Sequence, residues 1–240
     1  CRYDDVCALF YVNGTATTVN CLHVRDEVFP WKITSIVRGA THACMLFQDG
    51  NRSVYCFGES EYGNVPYVNG SFVRLGLDTR KLVASHHTTC VIDHALGVEY
   101  GRVYCWGLTP LFFGRYSGSD RTRSWPERVL ADIDRYARDI VLLDSLTSTG
   151  TPRVVLCMLL DDYTMICRGE GVDYRLMTPW RFAPYHLNFP TKITSGLNDG
   201  EICVVYSHYD VLCWNVNKPP PIKELSGEII YESVHGTLLG

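Results

Sequence analysis

The chain has 240 residues, 46% of them hydrophobic and 20% charged, with 22 Lys and Arg against 26 Asp and Glu. That apolar content supports a sizeable core and excludes disordered and collagen-like architectures, while a net charge of −4 argues against a nucleic-acid partner, whose phosphates call for a basic surface. The longest clean apolar run, Val154 to Leu160, is seven residues and far short of a membrane span, and no charged n-region with an apolar stretch opens the chain as a secretion signal would.

The first predicted element is a hairpin, Val6-Cys7-Ala8-Leu9 turning at Asn13-Gly14 into Val19-Asn20-Cys21-Leu22. The second runs from His42-Ala43-Cys44-Met45-Leu46-Phe47 through Asp49-Gly50 to Val54-Tyr55-Cys56-Phe57-Gly58. The third pairs His87-Thr88-Thr89-Cys90-Val91-Ile92 with Gly101-Arg102-Val103-Tyr104-Cys105-Trp106-Gly107. In the fourth, Val155-Leu156-Cys157-Met158-Leu159-Leu160 turns at Asp161-Asp162 and returns as Met165-Ile166-Cys167-Arg168-Gly169. The fifth joins Glu201-Ile202-Cys203-Val204-Val205 to Val211-Leu212-Cys213-Trp214-Asn215. Asn-Gly and Asp-Gly are hairpin turn chemistry, because glycine accepts the positive φ such turns require.

Each hairpin carries one cysteine per strand at comparable distances from its turn, so the two face each other. The expected disulfides are Cys7–Cys21, Cys44–Cys56, Cys90–Cys105, Cys157–Cys167 and Cys203–Cys213, with spacings of 10 to 15 residues. A loop of that size stabilises a fold by roughly 3 kcal/mol through the unfolded state. The chain has neither the C-x2-C knuckles of a zinc site nor a redox C-x-x-C. Free buried thiols are the competing reading, but paired spacing favours disulfides and an oxidising compartment. The sequons at Asn13, Asn51 and Asn69 agree with a glycosylated protein of the secretory pathway. Cys1 is the odd one of eleven cysteines, a candidate for a disulfide to a partner, a bond to an upstream cysteine, or a free terminal thiol.

The lead-ins repeat as well: Lys32-Ile33-Thr34-Ser35, Leu82-Val83-Ala84-Ser85 and Lys192-Ile193-Thr194-Ser195 precede Cys44, Cys90 and Cys203. Unit starts at 7, 44, 90, 157, 203 and 237 average about 46 residues apart, the length of a four-stranded propeller blade. Ile33 and Ile36, Gly39-Ala40-Thr41-His42, Leu46, Asp49-Gly50, Val54-Tyr55-Cys56-Phe57-Gly58 and Gly63 resemble the repeat of the regulator-of-chromosome-condensation family. Val103-Tyr104-Cys105-Trp106-Gly107 with Gly114 is the next best copy. The cysteine before Trp-Gly resembles the secreted branch of that family, similar to plant crinkly-type receptor ectodomains and exported bacterial repeats. The resemblance implies an all-β fold, a β-propeller of about five to six four-stranded blades, each with a hairpin disulfide. It also implies that His42 and His87, taken as the same repeat position, serve blade packing. Nuclear members of the family act on a small GTPase and touch chromatin; acidic balance and paired cysteines oppose that activity here.

Residues 1–240 thus read as one propeller domain, with 108–153 an insertion-bearing blade connection and 215–240 a closing segment. Lys218-Pro219-Pro220-Pro221 reads as an extended spacer within it. No H-E-x-x-H, G-x-S-x-G or P-loop is present, so no catalytic residue, metal site or cofactor is expected. Gly169-Glu170-Gly171 reads as a turn, and Ser117-Gly118-Ser119-Asp120 is only a faint match to a sialidase Asp-box. The richest candidate surface is residues 115–138, where arginines alternate with Tyr116, Trp125 and Tyr136. Arg, Trp and Tyr are enriched at interface hot spots, and the expected binding residues are Arg115, Arg121, Arg123, Trp125 and Arg128. The competing reading is a solvated insertion, part helical from Pro126 to Arg138, its charges paired to Asp132, Asp134 and Asp139. The expected function is an extracellular, cell-surface or virion-surface module that binds another protein, as part of a receptor or surface complex, with no nucleic-acid partner and no membrane insertion of its own. The alternative is a carbohydrate-binding or glycoside-processing propeller.

Overall fold

The structure, a computed structural model, describes residues 8–12, 16–20, 27–29, 32–48, 53–58, 62–65, 72–73, 78–94, 100–109, 112, 122–129, 135–146, 152–181, 189–207 and 210–220. They form successive antiparallel meanders. The first holds β1 (Ala8–Val12), β2 (Ala16–Asn20) and β3 (Glu27–Phe29); the second β4 (Lys32–Arg38), β5 (His42–Gln48), β6 (Val54–Gly58) and β7 (Phe72–Val73). The third holds β8 (Asp78–Ala84), β9 (Thr88–His94), β10 (Gly101–Leu108) and β11 (Thr122–Arg128). The fourth holds β12 (Ala137–Leu146), β13 (Pro152–Leu160), β14 (Thr164–Gly169) and β15 (Trp180–Arg181), with a 3-10 turn at Tyr174–Met177, and is joined to the third in one eight-stranded sheet by the pairing of Gly101 on β10 with Ala137 on β12. The fifth holds β16 (Pro190–Ser195), β17 (Glu201–Tyr206) and β18 (Val211–Asn215). The leading strands β4, β8, β12 and β16 touch one another from unit to unit, the arrangement of a β-propeller.

The stacking explains the apolar run at 154–160. A strand alternates its side chains between two faces, and in the fourth unit both faces are covered. Leu156, Met158 and Leu160 pack with Ile140 and Leu142 against Cys90, Ile92, Val103 and Cys105 of the third unit. Val155, Cys157 and Leu159 pack with Val141 and Leu143 against Ile193, Ile202, Val204 and Trp214 of the fifth. A strand buried on both sides loses the polar half of its alternation. A third core joins Cys44, Leu46, Val54 and Cys56 to Leu82, Val91 and Trp106.

The cysteines of four couples stand directly opposite one another: Cys44–Cys56, Cys90–Cys105, Cys157–Cys167 and Cys203–Cys213, at bonding distance and with Cα atoms 4.1 to 4.2 Å apart. That is close to the short spacing of non-hydrogen-bonded antiparallel pairs. The first three bridges point into the interface with the following unit, so each clamps a hairpin where the next unit packs on it. Cys1, Cys7, Cys21, the sequon asparagines Asn13, Asn51 and Asn69, and the part of the closing segment from 221 to 240 lie outside the described residues.

Two expectations change. The helix expected from Pro126 to Arg138 is replaced by strand β11 up to Arg128 and by strand β12 from Ala137. β11 is the outer edge of the third unit, pairing only with β10 among the described strands. Its register jumps, so Ser124, Trp125 and Pro126 stand opposite the single residue Trp106; this bulge accommodates a proline that an inner strand would reject. Segment 108–153 therefore carries an outer strand and the next leading strand.

The second change concerns the histidines. The Gly39 N–H donates to the His42 carbonyl at 2.8 Å, and the matching bond in the third unit runs from Ser85 to Thr88. Thr88, not His87, is thus the counterpart of His42. His87 stands one residue ahead of β9, where its ring meets Tyr62 at 4.4 Å. His42 is buried, with Nε2 2.7 Å from Thr89 Oγ1 of the next unit, and a Cβ at Gly39 would stand 2.2 Å from its ring.

Desolvation by burial, helped by the charge of His87, lowers the His42 pKa from 6.5 to about 4. The folded protein therefore resists a proton that the unfolded chain takes up. The stability this neutral imidazole contributes is complete above pH 6.5 and is lost as pH falls toward about 4. The loss is expected to reach roughly 3 kcal/mol. Urea titrations at pH 7 and pH 4.5 check this: His42→Asn should be less stable at pH 7 but show a flatter pH dependence. A parallel profile would assign the acid sensitivity to other groups.

Candidate functional site

Of the five expected binding residues, the structure describes Arg123, Trp125 and Arg128 and brings them together on β11; Arg115 and Arg121 lie outside the described residues. The bulge turns Trp125 outward, where 53% of it is exposed. Arg123 Nε donates to Glu127 Oε2 at 2.6 Å, and a second nitrogen bonds the Thr122 carbonyl at 3.2 Å. These two bonds hold the guanidinium along β11. Arg128 sits at the end of the strand opposite Tyr104 and is half-buried. Gly63, at φ +74, lets the segment leaving β6 run against the bulge; a Cβ there would be 2.9 Å from Ser124 Cα. Trp106 Nε1 anchors the same segment by a 3.0 Å bond to the Asn64 carbonyl.

Arg135 and Arg138, in the same run of sequence, lie at a different place. Arg135 pairs with Asp161 and Asp162 at the β13–β14 turn, at 3.7 and 3.3 Å. Arg138 begins β12, where the leading strands of three units meet around a cleft of about 530 Å³. Arg80 and Lys81 of β8, Arg138 of β12, and Pro190 and Thr191 of β16 line it, with His94 and Tyr163. Asp139, behind the wall, is buried and ties the three units together. Its Oδ1 meets Lys81 Nζ at 2.5 Å and accepts from the Ile140 N–H at 3.0 Å, and its Oδ2 accepts from the Ile193 N–H at 2.9 Å. The partner of Asp139 is thus a lysine 58 positions upstream and not an arginine of its own segment; Asp132 and Asp134 lie outside the described residues.

Sequence reasoning missed this cleft. The available signal was the cationic start of the lead-ins, Arg80-Lys81 and Arg138, which carries weight only once the units are stacked. Among the described residues no group of three or more His, Cys, Asp or Glu is placed to hold a metal ion, and no helix is long and apolar enough to cross a membrane.

No protein-family model and no curated protein matches the sequence. Solved structures do match. The chain is similar to human WBSCR16, with a TM-score of 0.60 at 12% identity over 83% of this chain and 58% of that one. It is similar to Prp20p of Saccharomyces cerevisiae, with a TM-score of 0.55 at 16% identity over 78% of this chain and 45% of that one. For yeast RCC1 (Prp20) in its structure with Kap60 the TM-score is 0.52 at 17% identity, over 86% and 54%. The chain spans about half the length of these structures. The fold is that of an RCC1-like β-propeller.

Proposed function

We propose that this chain is a binding module of the secretory pathway that recognises another protein, as part of a receptor or surface complex. The observation that carries the reading is Trp125, half exposed on a bulged outer strand between Arg123 and Arg128. A large aromatic held out by the backbone and flanked by guanidinium groups has the composition of an interface hot spot. Arg115 and Arg121 belong to the same proposed surface. Four hairpin disulfides favour an oxidising compartment, with Asn13, Asn51 and Asn69 glycosylated and Cys1 bonded to a partner. Prp20p, of the same fold, was described with its binding to Gsp1p and histones, which supports a propeller that works through protein contacts.

Substituting Arg123, Trp125 and Arg128 together by alanine is expected to leave thermal unfolding within a few degrees of wild type, because Trp125 is half exposed, the two arginines are only partly buried, and the Arg123–Glu127 pair that is lost lies at the surface, where such pairs are worth about 0 to 1 kcal/mol. Capture of a partner from a cell-surface protein extract should drop about tenfold or more. Equal recovery of the same partner by both proteins would remove this strand from the binding surface. Non-reducing peptide mapping tests the compartment: reduced cysteines in protein exported by secreting cells would contradict it.

A further inference from the structure

We propose that the Cys203–Cys213 disulfide of the fifth unit is a thiol-exchange site, attacked at Cys213 by a dithiol reductant while the other described bridges stay closed. Side chains alternate along a strand, and Ile202, Val204, Leu212 and Trp214 pack against the fourth unit. Cys203 and Cys213 therefore point the other way. Each of the other described bridges lies inside one of the three apolar cores, and this one belongs to none of them.

The neighbours on the same face are open as well. Val205 stands opposite Val211 on one side of the bridge, and Glu201 opposite Asn215 on the other. All four keep contact with solvent, Val211 at 43% exposure. Cys157–Cys167 closes the same ten-residue separation, but its flanking pairs, Val155 with Gly169 and Leu159 with Met165, are buried. Cys213 is half-buried, alone among the cysteines of the four described bridges. Thiol exchange depends on which sulfur a thiolate can reach, and exposed disulfides are the labile ones. Cys203, 6% exposed, is the less accessible end and so the leaving sulfur.

β18 is also the third strand held least firmly. Only Trp214 of its residues is buried, whereas β14 buries all but Arg168. Among the described strands it pairs with β17 alone. A segment with few buried contacts opens locally at small cost, which gives the reductant its approach.

The exchange balances without any further reactant. A thiolate of the dithiol bonds to Cys213 Sγ, the Sγ–Sγ bond breaks, and its electron pair leaves on Cys203, which takes a proton from water. The reductant's second thiol loses its proton and attacks the reductant sulfur of the mixed disulfide. Cys213 leaves as a thiolate and is protonated in turn. The dithiol departs as a cyclic disulfide, and two electrons and two protons have passed to the protein. β18 then keeps only its backbone bonds to β17, and Trp214 loses the covalent constraint that holds it between the fourth and fifth units. None of this rests on β11 as a binding strand.

The test treats the fully oxidised, folded protein with limiting dithiothreitol, alkylates samples over time and reads each cysteine by peptide mass spectrometry. Cys203 and Cys213 should be labelled at least about tenfold faster than Cys157 and Cys167. Amide exchange across β18 should quicken on reduction while that across β14 stays as in the oxidised protein. The single variants identify the attacked sulfur: the thiol left at Cys213 in Cys203→Ser should react with an aromatic disulfide about tenfold faster than the thiol left at Cys203 in Cys213→Ser. Labelling of the four described pairs in step, or of another of them first, overturns the proposal. So does unchanged exchange in β18 after reduction. Equal reactivity of the two single variants overturns attack at Cys213. Partner capture by the Arg123, Trp125 and Arg128 variant is a separate measurement, so failure of either reading leaves the other standing.

Discussion

Alanine at both Cys157 and Cys167 is expected to destabilise the protein more than alanine at both Cys203 and Cys213, although each bridge closes the same ten-residue separation. Equal loops impose equal constraint on the unfolded chain, worth roughly 3 kcal/mol in either case. The two bridges differ in what surrounds them. Cys157 and Cys167 are fully buried and packed with Leu159, Met165 and Ile193 between the fourth and fifth units. Cys213 is only half-buried. Removing sulfur at the inner bridge also leaves a cavity that its neighbours fill incompletely, adding about 1 to 2 kcal/mol. At about 2 to 4 °C per kcal/mol for a chain of this size, the inner pair should melt roughly 8 to 20 °C below wild type and the outer pair roughly 6 to 12 °C below. Scanning calorimetry of both double variants, each keeping its other cysteines oxidised, makes the comparison. Equal shifts would mean that the bridges act through loop closure alone.

The hairpins were legible in the sequence because a cross-strand disulfide imposes a local rule. Two cysteines equidistant from a turn share a face and a register, whatever lies beyond the hairpin. Cys44 and Cys56 need only the twelve-residue separation and the turn between them. The leading strands were legible for a similar reason, since Ile36, Leu82 and Ile193 each stand 8 to 10 residues before a cysteine and pair with the residue after it. β11 obeys no such rule. It packs on one neighbour, its bulge breaks the two-residue period, and Pro126 in a strand with five charged or polar residues reads as surface. His87 misled because a match by residue type tolerates a slip of one position, whereas a strand does not.

The cleft was illegible for a different reason. Arg80 and Arg138 stand 58 positions apart, and nothing between them signals that they meet. Their proximity is a product of meander length: each unit returns its chain to the axis at the start of the next leading strand, so residues at equal phase in successive units become neighbours. Phase, more than local pattern, decides which side chains share the face. The same phase relation puts Asp139 between Lys81 and Ile193. A carboxylate that looked like a surface charge beside arginines is the buried junction of three units.

Asp139→Ala should therefore cost about 4 kcal/mol, more than an ordinary surface ion pair, whose worth is about 0 to 1 kcal/mol. Two penalties add. The N–H groups of Ile193 and Ile140, both buried residues, lose their acceptor, a cost of about 1 to 3 kcal/mol. Lys81 keeps its charge against a wall that no longer compensates it, and with 32% of its side chain exposed it recovers only part of its hydration. Asp139→Asn separates the two, because an amide oxygen still accepts from Ile193 while the ion pair is lost; it should cost about half as much. Lys81→Met in the Asp139→Ala background should return part of the loss, since it removes the stranded charge and keeps the apolar stem. Chemical denaturation of the three variants reads these differences. If Asp139→Asn were as damaging as Asp139→Ala, the ion pair to Lys81 would carry the junction. If Lys81→Met returned nothing, the backbone bond to Ile193 would carry it, and the units would be joined there by a single hydrogen bond.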